Sequence, residues 1–331
     1  MLWLVVPLGV VIGVVGFGVI YQTLATNRDR RRFSPSGEIV QINGKDWHYQ
    51  MTGKGHPTVI VDSGTGGTHL DWQLVQPEVA KFARILTYDR AGYGWSDSSA
   101  ESRTAEQVVG ELRQLLREVE VEPPYVLVGM SLSGLFTRLF AYHHSEEVAG
   151  MVLVDVAHER MYEDTPVEWV ELNKRLEKLL TYVVPIMGRT GLLRLLVAFD
   201  SVPMMSGLFQ KFPPSMRSLA KALYSQTQFG KTFAQETAAV SVSMNQIEQT
   251  RQTKSFPDIP LVVLSAGKPD FDLTPEVVEK LQALHADLAN ESSQGVHVVA
   301  KESGHVIQLD KPKLVVDAIR KVVEEVRCSA T

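Results

Sequence analysis

The sequence predicts an α/β protein with a mostly parallel β-sheet that is covered by helices on both faces. Three observations lead to this prediction. Short runs rich in β-branched apolar residues alternate with stretches of helical spacing. One such run leads directly into a serine at the start of a helical stretch. Residues 156–256 then interrupt the alternation with helical patterns alone, which indicates an insertion into the α/β core.

The strand predictions follow from short apolar runs bounded by turn residues. The first two runs flank Asn43-Gly44, a strong signal for a hairpin turn. Between the fourth and fifth runs, apolar residues at helical spacing predict a helix over Thr104–Glu118. The predicted strands are Glu38–Ile42, Trp47–Thr52, Thr58–Asp62, Arg84–Asp89, Tyr125–Gly129, Gly150–Asp155, Pro260–Ser265 and Val296–Ala300.

Composition excludes several classes of protein. The chain has 331 residues with 33 Lys+Arg against 38 Asp+Glu, a net charge of −5, so a basic surface for nucleic acid is not expected. The single cysteine, Cys328, excludes an internal disulfide and a zinc site built from cysteines. The sequence predicts no cofactor and no metal site.

The N-terminal segment has the character of a membrane anchor. Residues 1–27 carry no charged side chain, and the apolar stretch Leu2–Tyr21 would span about 30 Å as a helix, the thickness of a bilayer core. Arg28–Arg32 follows with four arginines and one aspartate. We therefore predict a transmembrane anchor over 1–27 and a basic linker over 28–37, with the catalytic domain on the cytoplasmic side. A signal peptide cleaved after Ala25 is the alternative.

The predicted domains follow from these segments. The α/β core comprises residues 38–155 and 257–327, and the insertion at 156–256 forms a helical cap. The cap sequence is rich in Leu, Val, Met and Phe. Two interpretations remain open: these residues pack the cap onto the sheet, or they form the apolar underside of a lid over a substrate pocket.

Ser131 is the predicted nucleophile. It follows the strand Tyr125–Gly129 and precedes a helix, which is the arrangement of a nucleophile elbow. The strained backbone of such a serine requires small residues two positions before and two positions after it. Gly129 satisfies this requirement, and Ser133 replaces the usual glycine with another small residue. An N-cap role for Ser131 is the structural alternative.

The remaining catalytic parts have candidates elsewhere in the chain. His305 lies in a Ser-Gly turn after the last predicted strand and is the predicted general base. The glycine-rich loop Ser63–Gly67 follows a buried strand and would place backbone N–H groups against an oxyanion. We predict Thr65 N–H and Leu132 N–H as its donors. A phosphate-binding loop is a weak alternative, because no Gly-Lys-[Ser/Thr] sequence follows.

Three residues are predicted to line the substrate site. Gly64 belongs to the same glycine-rich loop, and Trp72 follows it by a few residues. His158 comes just after a predicted strand, where it borders the pocket or has a structural role.

Four motifs, in chain order, resemble those of the α/β-hydrolase superfamily. They are DSGTGG (62–67), YDRAGYGWSD (88–97), GMSLSG (129–134) and SGHVIQLDKP (303–312). The resemblance implies an eight-stranded sheet, a cap inserted after the sixth strand, and a serine hydrolase that cleaves an ester through an acyl-enzyme. With the apolar cap, the expected partners are a small hydrophobic ester and, through the N-terminal helix, a membrane.

The resemblance also implies a triad acid, for which three aspartates compete. Asp270 follows the strand after the cap and is the preferred acid. Asp155, at the end of the strand before the cap, is the first alternative, and Asp272 is the second. Carbon–carbon bond hydrolysis, peroxidase chemistry and acyl transfer use the same triad and remain open, as does a non-catalytic receptor or scaffold that has kept the fold.

Overall fold

The computed structural model describes residues 2–163, 167–269 and 274–329. Its centre is an eight-stranded sheet with the spatial order β1-β2-β4-β3-β5-β6-β7-β8. β1 and β2 form an antiparallel hairpin and β2 pairs antiparallel with β4, whereas all later pairs are parallel. The strands are β1 Glu38–Ile42, β2 Lys45–Thr52, β3 Thr58–Asp62, β4 Ile85–Tyr88, β5 Tyr125–Met130, β6 Val148–Val154, β7 Leu261–Ala266 and β8 Gly295–Ala300.

Helices cover both faces of this sheet, as expected for parallel strands that need crossover connections. They are α1 Leu2–Arg32, α2 Gln76–Val79, α3 Ala105–Glu118, α4 Ser133–His143, α5 Val167–Thr190, α6 Leu192–Ala198, α7 Pro203–Lys211, α8 Pro214–Tyr224, α9 Thr227–Thr253, α10 Pro275–Ala289, α11 Ile307–Asp310 and α12 Pro312–Ser329. The predicted α/β fold with a mostly parallel eight-stranded sheet is confirmed.

The central strands are buried on both sides, which explains their continuous apolar runs. Val59 and Val61 of β3 lie in one apolar cluster, while Ile60 between them lies in the other, on the opposite face of the sheet. The helix predicted before β5 is α3, and its apolar stripe at Val108, Leu112, Leu115 and Leu116 is buried.

The sheet register brings three loops to one edge. Asp62 at the end of β3 pairs with Gly129 of β5, and Met130 of β5 pairs with Val154 of β6. The residues that follow these strand ends therefore meet at the carboxyl edge of the sheet. In open parallel sheets, this edge is where ligands bind.

The chain between β6 and β7 contains helices α5–α9, which we call the cap. Its long helix α9 packs against α4 and α5 and passes over the loop that follows β4. Buried cap residues such as Phe209, Phe212, Leu223 and Phe229 belong to the same apolar cluster as the core strands. The apolar cap sequence thus packs partly onto the sheet, as one of the two interpretations required.

Helix α1 continues without a break through Arg32, so the segment predicted as a basic linker begins as helix rather than as extended chain. Its second half packs along the cap, where Gln22 donates from Nε2 to the Ser225 carbonyl oxygen over 2.7 Å. Among the described residues, no single helix is both long and apolar enough to cross a membrane. One bent pair, Val170–Thr190 with Leu192–Ala198, meets the test by length and composition. The side chains of residues 2–9 and 11 lie outside the described part, and the predicted anchor is not shown.

Candidate active site

Ser131 occupies a strained position at the end of β5. Its backbone has φ of 55°, in the left-handed region that non-glycine residues rarely adopt. Its N–H donates to the Val154 carbonyl oxygen over 3.2 Å, and its own carbonyl oxygen accepts from Ala157 N–H over 2.9 Å. These hydrogen bonds to the segment after β6 hold the turn in a strained backbone conformation. Strained conformations of this kind are common at functional sites.

The small residues around Ser131 are required by close packing. A Cβ on Gly129 would lie 2.5 Å from Thr137 Oγ1, and one on Gly134 would lie 2.3 Å from Val156 Cβ. Ser133, the departure from the usual glycine, is fully buried. Its hydroxyl accepts from Met130 N–H over 2.7 Å and lies 3.0 Å from the Asp62 carbonyl oxygen, so that it joins the ends of β5 and β3. The extra hydroxyl is therefore accommodated by hydrogen bonds.

His305 lies in the loop between β8 and α11, and its partner is Asp155. The distance from His305 Nδ1 to Asp155 Oδ2 is 2.6 Å. Asp155 follows β6 directly, one strand away from the end of β5 that carries Ser131. The structure therefore pairs the histidine with the first alternative acid. The preferred acid, Asp270, lies outside the described residues, as does Asp272.

The backbone and surroundings of Asp155 fix its carboxylate. The residue has φ of 44°, a second strained position at this edge, and its Oδ1 accepts from Ala266 N–H over 2.8 Å. Burial raises the pKa of Asp155, but the hydrogen bonds from His305 and from Ala266 N–H outweigh burial. The pKa of the carboxyl group therefore lies below its ordinary value. Asp155 is ionised at neutral pH and can orient the His305 ring.

A network of hydrogen-bonded polar side chains lies next to Asp155 on the side away from His305. His285 Nε2 is 2.7 Å from the Val156 carbonyl oxygen, which only accepts, so this nitrogen carries the proton. His285 Nδ1 then accepts from the Ser265 hydroxyl over 2.8 Å, and that hydroxyl lies 2.7 Å from His297 Nε2. Burial lowers the pKa of His285 and keeps the ring neutral. The sequence analysis did not predict this hydrogen-bond network.

The glycine-rich loop lies directly against the elbow. A Cβ built on Gly64 would lie 2.8 Å from Met130 Sδ and 2.9 Å from Ser131 Cβ, so only glycine fits there. Among the described residues, the N–H groups of Thr65 and Leu132 have no hydrogen-bond acceptor. Leu132 follows Ser131 in the chain, and Thr65 follows Gly64, which contacts Ser131. Unpaired N–H donors near a nucleophile are what an oxyanion hole requires.

Arg90 links this loop to the cap. It is fully buried, and its Nη2 donates to the Gly64 carbonyl oxygen over 2.8 Å, while Nη1 donates to Ser63 O and to Asp62 Oδ1. Glu236 of α9 accepts from Arg90 Nε at 2.8 Å and from Nη2 at 3.0 Å, and it also accepts from the Tyr93 hydroxyl. A cap carboxylate therefore holds the arginine that holds the loop.

Neither residue was singled out from the sequence. Arg90 lies within the YDRAGYGWSD motif, which was a usable signal, whereas Glu236 is one of many polar residues on a long helix. Helix α9 also packs closely on this motif at Gly92. A Cβ built on Gly92 would lie 1.9 Å from Oγ1 of Thr232 on α9.

Two residues predicted to line the substrate site are buried within the protein. Trp72 belongs to the apolar core and donates from Nε1 to the Ser63 hydroxyl over 3.0 Å, so it supports the glycine-rich loop from behind. His158 Nδ1 accepts from Arg160 N–H over 3.0 Å, and burial lowers the pKa of His158 to about 3. These contacts give His158 a role in its own turn, while Gly64 is the one of the three that contacts the elbow.

Two groups of side chains in the described part have ligand atoms near enough to one another for a metal ion: His48, His69 and Asp89, and His144, Glu146 and Glu147. In the first group, Asp89 Oδ2 is 2.8 Å from His48 Nδ1 and Asp89 Oδ1 is 2.9 Å from His69 Nδ1, which are hydrogen-bond distances. His48 Nε2 also contacts the Ser36 carbonyl oxygen at 2.8 Å. We therefore interpret the first group as a hydrogen-bonded cluster.

Comparison with known proteins agrees with this architecture. The model of the "Alpha/beta hydrolase family" matches residues 59–318, most of the chain. The chain belongs to the α/β-hydrolase family. Among curated proteins, it is 27% identical over 282 residues to the uncharacterised protein YqjL of Bacillus subtilis, covering 85% of this chain and 89% of that protein.

Two solved structures illustrate the similarity in fold. An esterase from Thermogutta terrifontis has a TM-score of 0.61 and 20% identity, with 88% of this chain and 99% of the esterase covered. An enol-lactonase from Burkholderia xenovorans LB400 has a TM-score of 0.63 and 17% identity, with 87% of this chain and 100% of the lactonase covered. At such identities the likeness concerns the fold, and the chemistry of this hydrolase must be argued from its own site.

Proposed function

We propose that this protein is a serine hydrolase that cleaves a carboxylic ester through an acyl-enzyme. Ser131 is the nucleophile, His305 the general base and Asp155 the acid that orients it. The observation that carries the proposal is the 2.6 Å contact between His305 and Asp155 at the edge where Ser131 adopts its strained φ of 55°. A nucleophile elbow next to an oriented imidazole suits acyl transfer.

The reaction proceeds in two halves. Ser131 Oγ attacks the ester carbonyl carbon while His305 Nε2 takes the hydroxyl proton, and Asp155 stabilises the resulting imidazolium through Nδ1–H. The N–H groups of Thr65 and Leu132 bind the negative oxygen that forms. His305 then gives its proton to the leaving alcohol oxygen as the carbon–oxygen bond breaks. Water then attacks the carbonyl carbon of the acyl-enzyme while His305 takes a proton from it. The bond between the acyl carbon and Ser131 Oγ breaks, His305 returns the proton to Oγ, and the carboxylic acid leaves.

We propose a small hydrophobic ester as the substrate. Gly66 of the glycine-rich loop lies 3.3 Å, measured from a built Cβ, from the rings of Phe229 and Phe233 on α9. The cap thus presents aromatic side chains to the loop that would bind the oxyanion. Burial of apolar substrate surface against such rings contributes about 25 cal/mol per Å².

We also propose that α1 attaches the protein to a membrane, with the catalytic domain on the cytoplasmic side. The support is its uncharged N-terminal sequence, which ends in an arginine-rich last turn at Arg30–Arg32. Fractionation of the full chain tests this attachment. Recovery in the membrane fraction after a high-salt wash is expected, and release by salt would contradict it.

Labelling with a fluorophosphonate tests the catalytic assignment. The wild-type chain is expected to bind the probe covalently at Ser131 and to hydrolyse p-nitrophenyl butyrate. Ser131→Ala is expected to lose both, with a decrease in kcat on the order of 10⁵-fold or more. Ser133→Ala, a buried hydroxyl in the same turn, is the matched control and should still be labelled. Labelling of folded Ser131→Ala would overturn the assignment.

The substrate class is tested with two esters of equal length. p-Nitrophenyl butyrate is expected to exceed p-nitrophenyl hemisuccinate in kcat/KM, because the charged carboxylate loses hydration in an apolar pocket. Equal values for the two esters would contradict the proposed hydrophobic substrate while leaving the nucleophile assignment intact.

A further inference from the structure

The outer face of α5 is apolar and exposed. Five large apolar side chains recur at intervals of three or four residues, which places them on one side of the helix. Their exposed fractions lie between 48% and 65%. They are Leu172, Leu176, Leu179, Tyr182 and Ile186. A soluble helix normally presents polar residues on such a face, and an exposed apolar stripe of this length marks an interaction surface.

Neighbouring helices also expose apolar side chains. Leu192 and Leu195 of α6 are exposed, as is Phe199 directly after α6, by 77%. Among the described side chains of α1, the exposed large apolar residues are Val10, Ile12, Val14, Val15, Phe17, Ile20, Tyr21 and Leu24. We call the exposed apolar residues of α1, α5 and α6 the apolar face.

Specific contacts join α1 to the cap, so that the three helices form one unit. Gly18 packs so closely on α5 that a Cβ there would lie 2.3 Å from the Thr190 carbonyl oxygen. Arg194 of α6 donates from Nε to Gln22 Oε1 over 2.9 Å and from Nη1 to Asp29 over 2.5 Å. Helix α1 is therefore attached to the cap along its second half.

The charges beside the apolar face select its occupant. The last turn of α1 exposes Arg28, Arg30, Arg31 and Arg32. Among the described side chains of α5, Lys174, Arg175, Lys178 and Arg189 are exposed, and Glu171 is the one exposed acid. An amphipathic surface with this basic border matches a bilayer that contains anionic headgroups.

The length of α1 leads to the same occupant. The uncharged stretch of α1 continues past Gly18, where the helix packs on α5, as far as Asn27. A bilayer that takes up this uncharged stretch therefore brings the attached cap to its surface.

We propose that the apolar face lies in the interfacial layer of an anionic bilayer, with α5 and α6 in contact with lipid beside α1. The proposal rests on the membrane attachment proposed above and extends it from the N-terminal helix to the cap. The apolar side chains enter the boundary between headgroups and acyl chains, about 5–10 Å deep, while the arginines and lysines contact the headgroups.

Lipid quenching of single fluorescent probes tests the proposal on the full chain. In a Cys328→Ser background, Leu179→Cys and Ile186→Cys report on the cap and Phe17→Cys on α1. Met51→Cys replaces an exposed residue of β2 and is the matched control. Each variant is labelled with NBD and reconstituted in phosphatidylcholine vesicles with phosphatidylglycerol and doxyl-labelled lipid. Circular dichroism confirms that each variant is folded before measurement.

The two cap probes are expected to be quenched at least about half as strongly as the Phe17 probe, and the Met51 probe not at all. Replacing phosphatidylglycerol with phosphatidylcholine should reduce the cap signal several-fold. Quenching at Phe17 without quenching at the cap would overturn the proposal and leave the attachment intact. No quenching at any position would overturn both. Cap probes that are shielded from water but not quenched by lipid would overturn the proposal in favour of a second copy of the chain.

Discussion

Among the described residues, two histidine–aspartate groups differ in the burial of the histidine and in its hydrogen-bond partners. His305 contacts Asp155 through Nδ1, and 23% of its side chain is exposed at the edge that carries Ser131. His48 is fully buried and contacts Asp89 through Nδ1 and the Ser36 carbonyl oxygen through Nε2. Because both partners of His48 are acceptors, both of its nitrogens carry protons.

The comparison shows that proximity of a histidine to a carboxylate does not define a catalytic pair. Asp89 also accepts from the N–H groups of His69 and Trp95, so it ties β4 to two loops. Burial raises the pKa of Asp89, but the charges of His69 and His48 lower it more, and its pKa lies well below the ordinary value. Under the proposed function, His305 and Asp155 exchange protons with a ligand, whereas the contacts of Asp89 hold two loops together.

The largest expected effect is a loss of kcat on substitution of Asp155. Asp155→Asn should lower kcat on the order of 10⁴-fold, because the amide favours the wrong His305 tautomer. The free energy of unfolding should change little, since the amide oxygen of the introduced asparagine can still accept from Ala266 N–H. Steady-state kinetics and urea denaturation measure the two quantities. A near-normal kcat would transfer the role of acid to Asp270 or Asp272.

The matched substitution in the other group should act on stability. Asp89→Asn leaves buried charge on His48 without its partner, and removal of one member of a buried ion pair costs about 3–5 kcal/mol. Urea denaturation measures this loss. The kcat per active site, counted by fluorophosphonate titration, is expected to remain within a few-fold of wild type. A loss of kcat as large as that of Asp155→Asn would mean that the two groups do not differ as described.

Glu236 is an intermediate case, since it is buried like Asp89 but acts on the site through Arg90. Glu236→Gln should lower kcat and the rate of fluorophosphonate labelling together by about 10-fold, because the carbonyl groups of the oxyanion loop are held less firmly. KM should stay nearly constant. The control is Glu111→Gln, which removes a buried partner of Arg103 on α3, outside this site. Equal effects on kcat from both variants would assign Glu236 a purely structural role.

The smallest expected effect is a pH dependence of stability. Burial lowers the pKa of His48, but the charge of Asp89 and the hydrogen bond to it outweigh burial and raise the pKa above its unfolded value. The stabilisation is thus complete below the unfolded pKa and is lost as pH rises through the folded pKa. The Tm difference between wild type and His48→Gln should therefore narrow by about 2 °C from pH 6 to pH 9. His56→Gln, at an exposed histidine, is the control. A Tm difference between wild type and His48→Gln that widens with pH would contradict a raised pKa for His48.

The positions of the strands along the chain, the elbow and the loop that carries His305 could be predicted, because each depends on a short stretch of sequence. The runs over Thr58–Asp62 and Tyr125–Gly129 are apolar and β-branched, and their pattern requires no knowledge of distant residues. The strained φ of Ser131 follows from the small residues around it. These predictions agree with the structure to within one or two residues at most strand ends.

The partner of His305 and the role of Glu236 could not be predicted, because each depends on how separate segments meet. Asp155 and His305 are 150 residues apart, and several aspartates follow strand ends in the sequence. Likewise, nothing local distinguishes Glu236 from the other polar residues of α9. Its contact with Arg90 arises from the crossing of α9 over the loop after β4, which depends on the packing of the whole cap.

The serine at position 133 has a consequence for recognising related chains. A search pattern that demands Gly-x-Ser-x-Gly would pass over this protein, although its elbow has the required backbone. The space here allows a side chain of two heavy atoms, Cβ and Oγ, provided that the hydroxyl finds partners such as Met130 N–H and the Asp62 carbonyl oxygen. A pattern written as Gly-x-Ser-x-[Gly/Ser/Ala] would describe the space available, and it would retrieve chains in which the fifth position reinforces the sheet.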